Sequence, residues 1–217
     1  MTSSSPPDAA IPYDGRRSIR EMLAELLARH REDDIVLGDI LAFLGERAFG
    51  ALLLILALPM ATPLSAIPGV SSVFGLPMVI ICAQLMLGYA RPLLPDALAR
   101  RTVRREALVR ALERADPWLI RIERAVHPRM PSLTGPRAER AIGAAAMFMA
   151  MLLALPIPGA NQPPALAVSL FAVALIERDG VFAIIGWIAV LAAIAIFVAI
   201  YGVLFAAGMF MLGRIAG

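Results

Sequence analysis

At 217 residues, with 59% hydrophobic and 17% charged side chains and a mean hydropathy of +0.76, the chain is too apolar for a water-soluble domain, in which charged residues approach one quarter. The single cysteine, Cys82, excludes an intramolecular disulfide, and two histidines far apart in Arg-rich stretches, His30 and His127, give little support for a zinc or haem site. The net charge of +3 rests on twenty basic residues, all Arg, which reads as coding bias; no cofactor is expected.

Residues 1–17 begin small, polar and acidic, without the basic start and apolar core of a cleaved signal, and are expected to form a disordered tail. Residues 18–47 are expected to hold two amphipathic helices lying on the membrane or on other parts of the protein. The first puts Ile19, Met22, Leu23, Leu26 and Leu27 on one face behind a Ser18/Glu21 capping box; the second runs from about Gly38 to Glu46-Arg47.

After Arg47 no charged residue occurs until Arg91. As one helix this run would reach roughly 65 Å, about twice the hydrocarbon thickness, so it must turn back. Pro59, Pro63, Pro68, Gly69 and Gly75 place the turn and leave apolar pieces at 48–58 and 76–89. Both are shorter than the roughly 20 residues of an ordinary crossing. Helices broken at membrane depth follow from this, with two kinked full crossings as the alternative.

Residues 91–140 carry twelve Arg against six acids, a positive-inside signature that places this segment and the N-terminus in the cytoplasm. Val103, Ala107, Leu108, Ala111 and Leu112, then Trp118, Leu119, Ile122, Ala125 and Val126, repeat at helical spacing. Two Arg-rich interfacial helices are expected, their partner anionic lipid headgroups rather than nucleic acid. A second uncharged run, 141–176, is broken by Pro156, Pro158, Gly159, Pro163 and Pro164 and closes at Glu177-Arg178-Asp179-Gly180, a charged turn rather than a catalytic acid pair. The last run, 181–213, is long for one helix and short for two, and is expected to form two short helices or one strongly tilted one, with Gly186, Gly202 and Gly208 allowing close packing.

Glu46-Arg47-Ala48-Phe49-Gly50 is matched by Glu139-Arg140-Ala141-Ile142-Gly143, and each is followed by an apolar stretch ending Ala-Leu-Pro, a Pro/Gly-rich break and a second apolar piece. This ordered recurrence predicts two internal repeats of broken membrane helices, 48–90 and 141–180, with a site where the breaks face each other. The fold class expected is therefore an all-α integral membrane protein. The paired Glu46/Arg47 and Glu139/Arg140 are candidates for holding an anionic group, or are interface anchors. Asn161 and Gln162 are further candidates, as is Gln84, an amide expected to bond between helices. No acid lies deep in either run, and no zinc motif, nucleophile elbow, P-loop or dinucleotide fingerprint is present. The expectation is a protein that is not an enzyme.

The order of SIREMLAELL, LGDILAFLGERAFG, the Ala-Leu-Pro break, IPGVSSVFGLPMVIICAQLMLG, PWLIRIER and ALIERDG resembles the exopolysaccharide synthesis ExoD family of bacterial membrane proteins, from about Ser18 to the C-terminus. The resemblance implies a multi-pass inner-membrane protein associated with exopolysaccharide production, and it supplies no catalytic residue. The leading expectation is a component supporting synthesis or export that binds or moves an anionic or lipid-linked intermediate. The alternatives are a small-solute or ion transporter or channel, and a scaffold for pathway proteins.

Overall fold

The computed structural model describes residues 22, 25–28, 34–45, 47–62, 67, 69–95, 99–106, 108–110, 113, 133, 135–155 and 160–216. The tail 1–17, Glu46, His30, His127, Ser18, Glu21, the helix expected around Trp118, and the centres of both breaks (Pro63, Ser65, Pro68, Pro156, Pro158, Gly159) lie outside the described residues. In chain order the elements are β1 (Asp34–Val36), α1 (Leu37–Leu44), α2 (Arg47–Met60), α3 (Val70–Leu87), β2 (Thr102–Arg104), α4 (Pro136–Ala154), α5 (Gln162–Glu177) and α6 (Gly180–Ala216).

Helices α2 to α5 form the core. Helix α3 lies chiefly along α4, and α2 along α5. Three glycines set how closely they approach. A Cβ at Gly50, early in α2, would stand 2.7 Å from the carbonyl oxygen of Ala172 near the end of α5. One at Gly143, early in α4, would stand 2.6 Å from the amide of Met86 near the end of α3, and one at Gly75 would meet the Cα of Ala154 at 2.7 Å. Both pairs are therefore antiparallel, and each half of the core runs away from its starting end and returns to it. Phe49, Leu53, Met60, Met78, Met149, Leu153, Val168 and Phe171 fill the interior with essentially no exposure. In lipid such contacts are held by close packing, since moving an apolar side chain from lipid to protein gains little hydrophobic free energy.

Helix α6 packs on α5 through a helical stripe of Ala183, Val190, Ala193 and Phe197. Gly186 makes room for the Phe171 ring, whose edge meets Trp187 at a centroid separation of 5.5 Å. Among the described residues, two helices are long and apolar enough to cross a bilayer: Val70–Leu87 and the first 24 residues of α6, Gly180–Val203. A membrane location is consistent with them.

A smaller apolar cluster sits against the start of α2 and the end of α5. Leu26, Ile35, Ile40, Leu41 and Leu44 pack there on Ala48 and Ile176. Strands β1 and β2 form a two-stranded antiparallel ribbon with Ile35 opposite Val103, and the Leu37 amide donates to the Arg101 carbonyl at 2.8 Å. Arg105 reaches the Leu27 carbonyl at 3.3 Å. This cap ties the N-terminal segment to the start of the Arg-rich one.

Several expectations are corrected. The fold is predominantly helical but not all-α, because Val103 belongs to β2 and not to an amphipathic helix. The second helix ends at Leu44, where Gly45 takes φ 56, and Arg47 opens the next one. Helix α2 carries Pro59 within its last turn. Helix α3 begins at Val70, so Ser71, Ser72 and Gly75 lie in the helix and not in the break. Of the two arrangements expected after Asp179, two short helices or one long one, the structure has the single helix, of 37 residues. Gly202 has no neighbour for an added Cβ within 4 Å, so it takes no part in close packing.

Candidate functional site

Because α2 and α4 start where α3 and α5 end, four helix termini meet at one end of the core. Between them lies a cavity of about 160 Å³. Its lining is Phe49 from α2, Leu85, Gly88, Tyr89 and Ala90 from the end of α3, Pro136, Glu139 and Arg140 from the start of α4, and Leu175 and Arg178 from the end of α5. The described charges are thus two Arg and one Glu, beside the first turn of α4, whose free amide ends carry positive potential.

Helices α3 and α5 close in the same way. In α3, Gly88 takes φ 83, its amide bonding back to Gln84 and Leu85, and the Tyr89 amide donates to the Gln84 carbonyl at 3.1 Å. In α5, Arg178 takes φ 52 and its amide bonds to the Ala174 carbonyl, which also accepts from the Asp179 amide at 3.3 Å. Both are left-handed C-terminal caps. Glycine holds this conformation without strain, whereas an L-residue there gives up roughly 1–2 kcal/mol.

The vacancy left by the Gly88 side chain is occupied by Arg140. A Cβ at Gly88 would lie 2.6 Å from Arg140 Nε and 2.7 Å from Nη2. The guanidinium therefore lies against the C-terminal turn of α3, the negative end of that helix, and only glycine permits this approach. Asp179, nearly fully buried, accepts the Val181 amide at 2.8 Å and caps α6. The Glu177-Arg178-Asp179-Gly180 segment is the turn its sequence suggested, and it also delivers Arg178 to the cavity.

The sequence candidates separate. Glu139 and Arg140 line the cavity. Arg47 does not: it is buried at 4% exposure on the side of the cap, its Nη1 3.8 Å from Met22 Sδ. The recurrent Arg pair therefore does not form one site. Glu46 lies outside the described residues. Asn161 is fully buried at the opposite end of the core, where α3 and α5 begin, and its Nδ2 donates to Ser71 Oγ at 2.7 Å. Gln162 is exposed in the first turn of α5. Gln84 does not bridge two helices as expected. Its Nε2 donates to the Leu93 carbonyl at 3.0 Å and its Oε1 accepts the Leu93 amide, fastening the chain that leaves α3. Sequence reasoning missed Gly88, Tyr89 and Arg178. The signal for Arg178 was a charged residue where the end of an apolar helix ordinarily calls for glycine.

Residues 19–199 match the family described as Exopolysaccharide synthesis, ExoD. The chain is 33% identical over 199 residues to Protein ExoD of Rhizobium meliloti, covering 90% of this chain and 82% of that one. It is 32% identical over 165 residues to an uncharacterized protein of Synechocystis sp., covering 76% and 77% respectively. No solved structure matches it. With the match spanning most of the chain and both relatives aligned over most of their length, the protein belongs to the ExoD family.

Proposed function

We propose that this protein is a multi-pass component of the bacterial inner membrane that supports exopolysaccharide synthesis or export without catalysing a reaction itself, and that it holds an anionic or lipid-linked intermediate in the cavity between the helix ends. The observation that carries the reading is the Arg140/Arg178 cavity in a chain of the exopolysaccharide synthesis family. Membrane embedding is supported by the outer faces: Val73, Leu76 and Ile80 on α3 and Ile188, Leu191 and Val198 on α6 are each about 60–70% exposed, apolar faces of a kind that mark a membrane or interaction surface. The Arg-rich segment and its cap would then face the cytoplasm, with the cavity opening at that surface and anionic headgroups as its neighbours.

On this reading α2 and α3 form one unit and α4 and α5 a second, related one. Gly50 meets the last turns of α5 as Gly143 meets the last turns of α3, the two units close on the same left-handed cap, and Ser71 and Asn161, at the starts of their second helices, touch each other. Such paired helices with interrupted middles are a recurring way of building a site between two halves of a membrane protein.

The test is secreted and cell-associated polysaccharide in a deletion strain complemented with wild type or with the double variant Arg140→Gln/Arg178→Gly at matched membrane levels. Loss of output in the deletion and in the variant is expected. Full output from the variant would remove the cavity from the function and leave a scaffold that recruits pathway proteins.

A further inference from the structure

We infer that the cavity is a phosphate subsite: it takes the phosphate of a phosphomonoester or phosphodiester, with Arg140 and Arg178 as its two cationic arms and Phe49, Leu85 and Leu175 against whatever apolar chain the phosphate carries. The inference rests on the functional reading above for its biological role, but its physical content is separate.

Three observations lead to phosphate rather than to an anion of any kind. The two guanidinium groups come from different helices, Arg140 from the start of α4 and Arg178 from the end of α5, and both line one cavity of about 160 Å³. That volume suits a small group, not a polysaccharide repeat. Planar guanidinium forks are matched to tetrahedral oxyanions with several acceptor oxygens, and one ligand can then bridge both arms. The positive end of the α4 dipole lies at the same wall, which Pro136 and Glu139 line. The described charges of the lining are two Arg and one Glu. Such a wall favours an anion without holding it irreversibly.

The positions of the two arms are also built in. Arg140 is seated by the missing side chain of Gly88. Arg178 occupies a left-handed position where glycine would be easier, so the side chain is retained there against a backbone preference. Leu85 and Leu175 lie one turn before the two caps, on the core side of the arms, and give the cavity an apolar inner wall. A phosphate at the membrane surface with its chain directed inward satisfies both parts of the lining.

The experiment is thermal unfolding of the full chain in neutral detergent, with sodium phosphate against sodium chloride at equal ionic strength, and with phosphatidylglycerol against phosphatidylcholine at equal mole fraction. Wild type, Arg140→Gln, Arg178→Gly and Gly88→Ala are compared. At a hundredfold excess over Kd the wild-type midpoint should rise by roughly 5–10 °C. The general salting effect of phosphate is common to all four proteins and cancels in the comparison. Arg178→Gly should start at an unchanged or higher midpoint, because its cap is relaxed, yet lose at least half of the ligand-dependent rise. Gly88→Ala keeps both charges but displaces Arg140 and should lose a comparable part. A rise with inorganic phosphate identifies a free phosphate group as sufficient, and a rise with phosphatidylglycerol alone identifies a lipid headgroup; either supports the inference. No rise with either probe, or a full rise retained in Arg140→Gln and Arg178→Gly, overturns it. Ligand-dependent stabilisation that needs both Arg, alongside normal polysaccharide output from the double variant, would keep the subsite and overturn the functional reading alone.

Discussion

An added Cβ at Gly143 would lie 2.6 Å from the amide nitrogen of Met86, whereas one at Gly202 would meet nothing within 4 Å. The same substitution therefore has opposite signs at the two positions. At Gly143 the obstacle is backbone of α3, which cannot swing aside as a long side chain could, so Gly143→Ala must separate α3 from α4 and loosen the core around Ile142 and Ala146. The expected cost is about 1–3 kcal/mol, the usual range for overpacking. At Gly202 alanine adds helix propensity without a clash and should be neutral or stabilising by up to about 1 kcal/mol. Unfolding midpoints of the two purified variants against wild type check the pair. Equal effects at both sites would mean that α3 and α4 do not approach as closely as described. Gly143 was legible only as a member of the Glu-Arg-Ala-Ile-Gly recurrence. Its partner on α3 could not be read, because a contact between positions 57 residues apart leaves no local pattern in either helix.

The paired helices of the core raise the question of how far they reach into the bilayer. At 1.5 Å per residue, the 14 residues of α2 span about 21 Å and the 16 of α5 about 24 Å, against a hydrocarbon core of about 30 Å. On the proposed topology, with Arg47 at the cytoplasmic surface, Met60 at the end of α2 is expected to stop short of the far side. A cysteine at Thr62, exposed just beyond α2 and with its hydroxyl bonded to the Pro59 carbonyl at 2.6 Å, reports on this. In a Cys82→Ala background, Thr62→Cys should resist a membrane-impermeant maleimide in intact cells and react after detergent is added. A cysteine at Glu113, in the Arg-rich segment, should react once the inner membrane is permeabilised. Rapid labelling of Thr62→Cys from outside would establish two full crossings instead.

Much at this scale was readable from composition alone: the absence of charge between Arg47 and Arg91 and the Pro-rich interruptions located α2 and α3. The start of α3 was misread because Ser71, Ser72 and Gly75 look like turn residues. In the fold Ser72 bonds the Ala154 carbonyl at 3.0 Å and Gly75 lies against Ala154, so these small and polar residues serve a helix contact that has the same composition as a loop. The β1–β2 ribbon was unreadable for another reason. Three-residue strands carry no alternation to detect, and Ile35 and Val103 find each other only across the whole of α1 to α3.

Helix α6 sets the proportions of the whole molecule. Its 37 residues reach about 55 Å, far beyond α5, against which it packs, and beyond any bilayer it could cross without tilting outside the usual range. Among the described side chains its burial against the core ends early. The buried stripe runs from Ala183 to Phe197, while Val198, Tyr201, Val203, Phe205, Met209 and Phe210 are all exposed, and the family match ends at residue 199. The part that belongs to the fold is thus the part already long enough to span, Gly180–Val203. A chain ending after Val203 should reach the membrane at the wild-type level, unfold within about 0.5 kcal/mol of wild type, as changes at exposed positions do, and restore polysaccharide output in the deletion strain. Gly186→Leu, by contrast, would drive a side chain into the Phe171 ring, which an added Cβ alone would approach to 2.5 Å. It should cost several times more although it keeps the full length. If the shortened chain failed to accumulate while Gly186→Leu behaved normally, the weight of α6 in the fold would lie in its distal half, and the core would not be the self-sufficient unit that its packing describes.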